Sequence, residues 1–239
     1  MQVLTPVETT PADIQDVQVT ERIQQMLIDK EWPPEQPIID SGYMDAELLA
    51  TSQTVHHIDL LGPTRPDTSW QAKAGQGFDR AHFSMDWQNQ QVTCPQGKRS
   101  QRWSSTHNPA ANPLIHVEFA KHDCLACSAR RLCTHAKTDP REITLYPQPI
   151  YEALQAARQR QTTPAFKIDY ATRAGIEGTL SEGVRAHQLR RSRYIGLAKT
   201  HLQHLFVALA INWIRVARWL SGPKQAHTRV STFAALAPS

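Results

Sequence analysis

The chain has 239 residues, 40% of them apolar and 20% charged, with a net charge of +4. That is enough for one large domain or two small ones, and too apolar for a wholly disordered chain. The first ten residues carry neither a basic start nor an apolar run, and the longest apolar run, 205–214, falls well short of the roughly 20 residues that span a bilayer, so a cytoplasmic protein without membrane contact is expected.

The first 62 residues alternate between elements. "MQVLTPVETT" has the β-branched character of a strand. "TPADIQDVQVTERIQQMLIDK" opens with a proline suited to a first helical turn, and Asp13 and Asp16 fall inside that predicted helix. "WPPEQP" breaks the chain, "IID" makes a short buried strand ending at Asp40, "DAELLATSQTV" a helix, and "IDLLGP" a further strand. Strand–helix alternation implies a parallel or mixed sheet with helices on its faces.

Residues 63–147 read as a β-rich insertion. "AHFSMDWQNQQVTCPQG" is a hairpin with its turn near "QNQQ", and "LIHVEFAK" and "EITLY" are short strands. Residues 148–220 are helical: "PIYEALQAARQRQ" is one helix, and "TPAFKIDYATRAGIEGTLSEGVRAHQL" is a second helical stretch with an interruption expected near Gly175 and Gly178. "GLAKTHLQHLFVALAINWIRVARWL" is a third, whose Leu202, Leu205, Leu209, Trp213, Val216 and Leu220 should face a core. Residues 221–239 read as a loose tail. Charge is uneven along the chain: 13 of the 26 Lys and Arg lie between Arg158 and Arg229 against three acids, a local net of +10. Such a segment faces a polyanion or is a solvated helical surface.

All four cysteines, Cys94, Cys124, Cys127 and Cys133, lie in the insertion. The two-residue gap in "CLAC" lets two thiolates reach one tetrahedral metal, and Cys94 precedes a knuckle-like Pro-Gln-Gly. In a reducing compartment the set reads as structural zinc, with His122 or His135 able to replace one thiolate. Four reduced cysteines in a small core is the alternative; a redox pair lacks a thioredoxin-like context.

Two acids stand out. Asp40 ends a buried strand. Glu177 follows Tyr170 and Arg173 at helical spacing, where an arginine one turn from a glutamate is ordinarily a surface ion pair. Taken together, "IIDSGYMDAELL" resembles the second-aspartate segment of bacterial insertion-sequence transposases of the DDE superfamily. The stretch from "YATRAGIEGTL" to "RVARWL" resembles their glutamate helix and C-terminal end. Tyr170, Arg173 and Glu177 match the family's tyrosine–arginine–glutamate signature, with Arg185 the nearest basic residue after it. The insert "VTCPQG…DCLACSARRLC" resembles one branch of these transposases.

That resemblance implies an α/β fold: a partial ribonuclease-H-like mixed sheet with flanking helices, interrupted by the β-rich cysteine-containing insertion. Residues 1–62 and 148–220 would form the catalytic core. Asp40 and Glu177 would be catalytic and would hold magnesium, since two hard cations shared by three carboxylates stabilise the attacking and leaving oxygens of an in-line displacement. Tyr170 and Arg173 would hold the scissile strand or orient Glu177, while Arg185, Arg190, Arg191, Arg193 and Lys199 would touch DNA phosphates. The partners implied are transposon ends and target DNA, further copies of the chain, or a full-length transposase. The family's first two strands and first aspartate have no counterpart in this chain, and Asp13 and Asp16 are poor substitutes. A C-terminal portion with an incomplete two-ion site is expected, inactive alone. The competing expectation is a non-catalytic zinc-containing DNA-binding protein that regulates or inhibits the complete enzyme.

Overall fold

The computed structural model describes residue 4 and residues 6–222. These divide into two units, one running Gln15–Arg173 and the other joining the segment before Gln15 to the chain from Ala174 onward.

In the first unit, α1 (Asp16–Asp29) and α2 (Ala46–Val55) flank the Asp40 loop. The helix expected from Pro11 starts later, because Ile14 N bonds Pro11 O in a turn at 3.2 Å and the Gln18 side chain accepts from Gln15 N. α2 begins where expected: the Asp45 carboxylate accepts from Leu48 N at 2.8 Å, satisfying an orphan first-turn donor. The strands expected around Ile39 and Leu60 are two extended segments joined by a single parallel bridge, Ile38 to Leu61. Their ladder is Ile39 N to Leu61 O at 2.9 Å and Leu61 N to Pro37 O at 3.0 Å. Prolines 33, 34, 37 and 63 remove the donors that would lengthen it. Residues 4 and 6–10 form no strand; the rest of that expected strand lies outside the described residues, as does the expected tail from residue 223.

Met44, Leu48, Leu49, Ile58 and Leu60 make a core with Ala157 of α6 (Gln148–Gln161). Arg160 clamps the C-terminal end of that helix onto the extended segment. Its guanidinium donates to both Asp59 carboxylate oxygens, at 2.7 and 2.6 Å, and to Leu60 O at 2.6 Å.

The insertion has its own core of Phe83, Val92, Ile115, Val117, Phe119, Ile143 and Leu145. A hairpin of β1 (Ser84–Asp86) and β2 (Gln91–Thr93) leads to an antiparallel three-stranded sheet of β3 (Ser100–His107), β4 (Pro113–Phe119) and β5 (Glu142–Leu145), in that order. Short helices α3 (Trp70–Ala74), α4 (Lys121–Leu125) and α5 (Arg130–Cys133) surround it. The β3 sequence SQRWSSTH gives no apolar alternation because β3 is an edge strand with mostly exposed side chains.

The helical stretch after α6 breaks at Thr172–Arg173, not at the glycines. α7 (Pro164–Ala171) ends before Arg173, and α8 (Ala174–His187) carries Gly175 and Gly178 within it. Tyr170 thus lies in the last turn of α7, Arg173 in the break, and Glu177 in the first turn of α8. In the second unit, α8 packs on α9 (Leu197–Leu220). The α9 stripe expected to be buried is largely open instead: Leu202, Leu205, Leu209, Trp213 and Leu220 are exposed and Val216 is half-buried, while Ala208 and Ile211 are buried. Gly183 leaves room for Leu189, whose Cδ2 would lie 3.2 Å from a Cβ there, and Ile211 Cδ1 of α9 would lie at 3.7 Å.

Candidate active site

Asp40 caps a single 3₁₀ turn, Ser41–Tyr43, through Ser41 N donating to its Oδ1 at 2.8 Å. The parallel bridge delivers it there, one residue beyond Ile39. Gly62 makes the bridge close, because a Cβ at that position would sit 2.5 Å from Ile39 O. The rest of the carboxylate is met from 130 residues further along. Arg173 Nη2 donates to Asp40 Oδ2 at 2.8 Å, and the Tyr170 hydroxyl donates to Oδ1 at 3.4 Å. Tyr170 stacks on the buried Phe166 with ring centroids 5.5 Å apart, and the Arg173 guanidinium lies 5.8 Å from the Tyr170 ring centre. The side chains of Arg173 and Asp40 are 26% and 45% exposed, so their attraction is solvent-screened and worth about 1 kcal/mol or less.

Sequence reasoning missed Tyr43 and Asp16 at this place. Burial, then the Asp16 and Asp40 charges, push the Tyr43 hydroxyl above its ordinary pKa, and its side chain bonds Asp16. Thr20 pins the loop by donating to Tyr43 O at 3.0 Å. The aromatic in "DSGY" was the available signal.

Glu177 stands in the first turn of α8, in the second unit, which also holds the basic residues. Arg185 is in the last turn of α8, Arg190, Arg191 and Arg193 lie in the connection to α9, and Lys199 is in the first turn of α9; all five are exposed and none pairs with an acid among the described residues. Gln203 shapes this connection, accepting from Arg193 N at 3.0 Å and donating to Arg191 O at 2.8 Å. Arg193, Lys199 and His187 line one groove with Phe206 and Leu202.

The four cysteines, Cys94 from one segment and Cys124, Cys127 and Cys133 from another, line a single cavity of ≈ 30 Å³ in the insertion. Neither His122, whose side chain is 85% exposed, nor His135, whose ring centre lies 4.0 Å from that of Trp70 in a tilted pair, lines it. Burial pushes the Cys133 thiol up to about 11; Arg141 opposes this, and the three other cysteines add to it. As placed, no three His, Cys, Asp or Glu side chains among the described residues stand close enough to hold a metal ion, here or around Asp40.

A family model described as "Transposase DDE domain" matches residues 93–217, more than half of the chain. The chain belongs to the DDE transposase family. The match covers the four cysteines, Tyr170, Arg173, Glu177 and all five basic residues, and Asp40 precedes it. The fold agrees: the chain is mixed α/β, with two small antiparallel sheets and flanking helices, consistent with a partial ribonuclease-H-like DDE domain. No helix among the described residues is long and apolar enough to cross a membrane. No curated protein and no solved structure matches the chain.

Proposed function

We propose that this chain carries the second aspartate, Asp40, and the glutamate, Glu177, of a DDE transposase site, and that it binds DNA without cutting it alone. The observation that carries the reading is the meeting of Asp40 with Tyr170 and Arg173. Two segments that resemble the family separately, and lie 130 residues apart, converge on one carboxylate. Composition has no reason to bring these three residues together.

The core is assigned to residues 1–62 and 148–220, and the cysteine insertion to 63–147. Arg185, Arg190, Arg191, Arg193 and Lys199 are assigned to DNA phosphates, where exposed unpaired cations gain from counterion release. Magnesium, when bound by a complete site of this kind, stabilises charge on the attacking and leaving oxygens. The described residues do not offer it a closed ligand set. The contribution of this chain is therefore positional: Ser41 N, Tyr170 and Arg173 fix the Asp40 carboxylate, and the basic connection holds DNA. A regulatory role, pairing with or competing against a complete transposase, is the second reading, supported by the exposed basic residues and by the lack of a closed metal-ligand set among the described residues.

The test uses the full chain with duplex DNA from the flanks of its own reading frame. Salt-sensitive retardation without magnesium- or manganese-dependent nicking is expected, with retardation unchanged by Asp40→Ala. Magnesium-dependent nicking that disappears in Asp40→Ala would refute the inactivity, and no retardation at low salt would refute the DNA assignment.

A further inference from the structure

The cysteine cavity presents a charge problem that a metal would solve. Apart from thiols, its charged lining residues are Lys98, Asp123, Arg130 and Arg141. Lys98 Nζ and Asp123 Oδ1 pair at 2.9 Å and cancel. That leaves two guanidinium groups beside a cavity whose other walls include Phe78 and Phe119. Each guanidinium has a buried nitrogen with no hydrogen-bond partner: Nη1 of Arg130 and Nε of Arg141. A buried unsatisfied donor on a charged group costs on the order of 1–3 kcal/mol or more, and an anion in the cavity that both residues line would offset it.

The backbone is arranged for anionic sulfur. Lys98 N donates to Cys94 Sγ at 3.4 Å and Arg141 N donates to Cys124 Sγ at 3.5 Å. Gly97, at φ +75°, permits the tight Cys94–Lys98 turn that aims the first of these. A backbone N–H bonded to sulfur gains most when the sulfur is a thiolate. Arg130 is held in place by its other nitrogen, Nη2, which donates to Ala136 O at 2.8 Å and Asp139 O at 2.9 Å.

We infer that Cys94, Cys124, Cys127 and Cys133 bind one zinc ion as four thiolates, with Arg130 and Arg141 as its outer-shell counter-charges. Four thiols release four protons to solvent and no electrons move; the resulting centre carries two negative charges, which the two arginines neutralise. Cysteine ligands with hydrogen-bonded outer partners suit zinc over harder cations. The ion ties β2, α4 and α5 together in a lobe with a small core. This holds whether or not the chain cuts DNA.

The experiment is metal analysis of the full chain purified without chelators, followed by removal and cobalt replacement. About one zinc per chain and the visible spectrum of tetrahedral cobalt thiolate are expected. Less than about a tenth of an equivalent after zinc reconstitution overturns the site, as does a Cys94→Ser variant with an unaltered cobalt spectrum. Should the cysteine variants fail to fold, Arg130→Met with Arg141→Met serves instead. That pair should weaken zinc by about tenfold or more in competition with a chromogenic chelator. Unchanged affinity overturns the role of the arginines.

Discussion

Gly62→Ala tests the contact that positions Asp40. The added methyl would lie 2.5 Å from Ile39 O, 3.0 Å from Met44 Cε and 3.2 Å from Ile39 Cγ1. Met44 can give way; the carbonyl cannot move without its strand. Retreat stretches Ile39 N to Leu61 O and Leu61 N to Pro37 O, now 2.9 and 3.0 Å. Losing one such bond costs about 1 kcal/mol, and overpacking costs about 1–3 kcal/mol. Restricting the unfolded chain returns about 0.4–1 kcal/mol. The net is about 1–3 kcal/mol, or about 2–12 °C in melting temperature for a chain of this size. Gly178→Ala is the contrast, because nothing lies within 4 Å of a Cβ there and the site is helical. It should be neutral or stabilising by up to about 1 kcal/mol. Melting followed by far-UV circular dichroism reads both. An unchanged or raised melting temperature in Gly62→Ala would show that Ile39 is not held against Gly62, and the account of how Asp40 is placed would fail.

Arg190→Ala should weaken DNA binding and reduce the slope of log affinity against log salt by about 0.9, the share of one phosphate contact; an identical slope in a filter-binding titration removes Arg190 from the interface. Asp67 behaves as an acid-sensitive clamp. Burial by itself would raise its pKa, but hydrogen bonds from the Ser69 backbone and side chain, and Arg80, outweigh it and hold the carboxyl low. A folded-state pKa below the unfolded value of about 3.9 contributes stability above that value, lost as pH falls through the folded one. Asp67→Asn should therefore destabilise near neutrality, with the gap to the parent closing in urea titrations as pH drops below about 4; a gap independent of pH contradicts this. The open α9 stripe should drive self-association. Light scattering should show mass rising with concentration, and Leu205→Glu with Leu209→Glu should abolish the rise; a monomer at all concentrations argues otherwise.

Local rules located most elements, and tertiary contacts decided the rest. α2, α6 and α9 are legible because each carries its own start or stop, such as Asp45 at α2 and Pro149 in the first turn of α6. β3 is not, because an edge strand has no buried face to write into the sequence. The apolar period of α9 correctly reported a helix and misreported its buried side, which is the face of Ala208 and Ile211. At the candidate site, each residue was recognisable separately. The pairing of Asp40 with Arg173 was not, because it depends on α7 ending at Ala171 so that Arg173 can turn toward the 3₁₀ loop. Arg130 and Arg141 escaped notice because arginines beside cysteines look like ordinary surface charge until their nitrogens are found buried.

Arg173 also fixes what Asp40 can do by itself. One carboxylate oxygen accepts from Ser41 N and the other holds a guanidinium at 2.8 Å. Magnesium brings twice the charge at about 2.1 Å, yet it sheds water reluctantly and is usually held by more than one oxygen group. A single carboxylate therefore keeps its arginine, and exchange of arginine for metal requires further ligands on the same ion. The pair should then show a coupling of about 0.5–1 kcal/mol in a double-mutant cycle of Asp40→Asn and Arg173→Gln, read from urea unfolding in chelator. Millimolar magnesium should leave that coupling unchanged in this chain. Collapse of the coupling on adding magnesium would mean that Asp40 has exchanged Arg173 for a metal, and that the ligand set is complete without help from another chain.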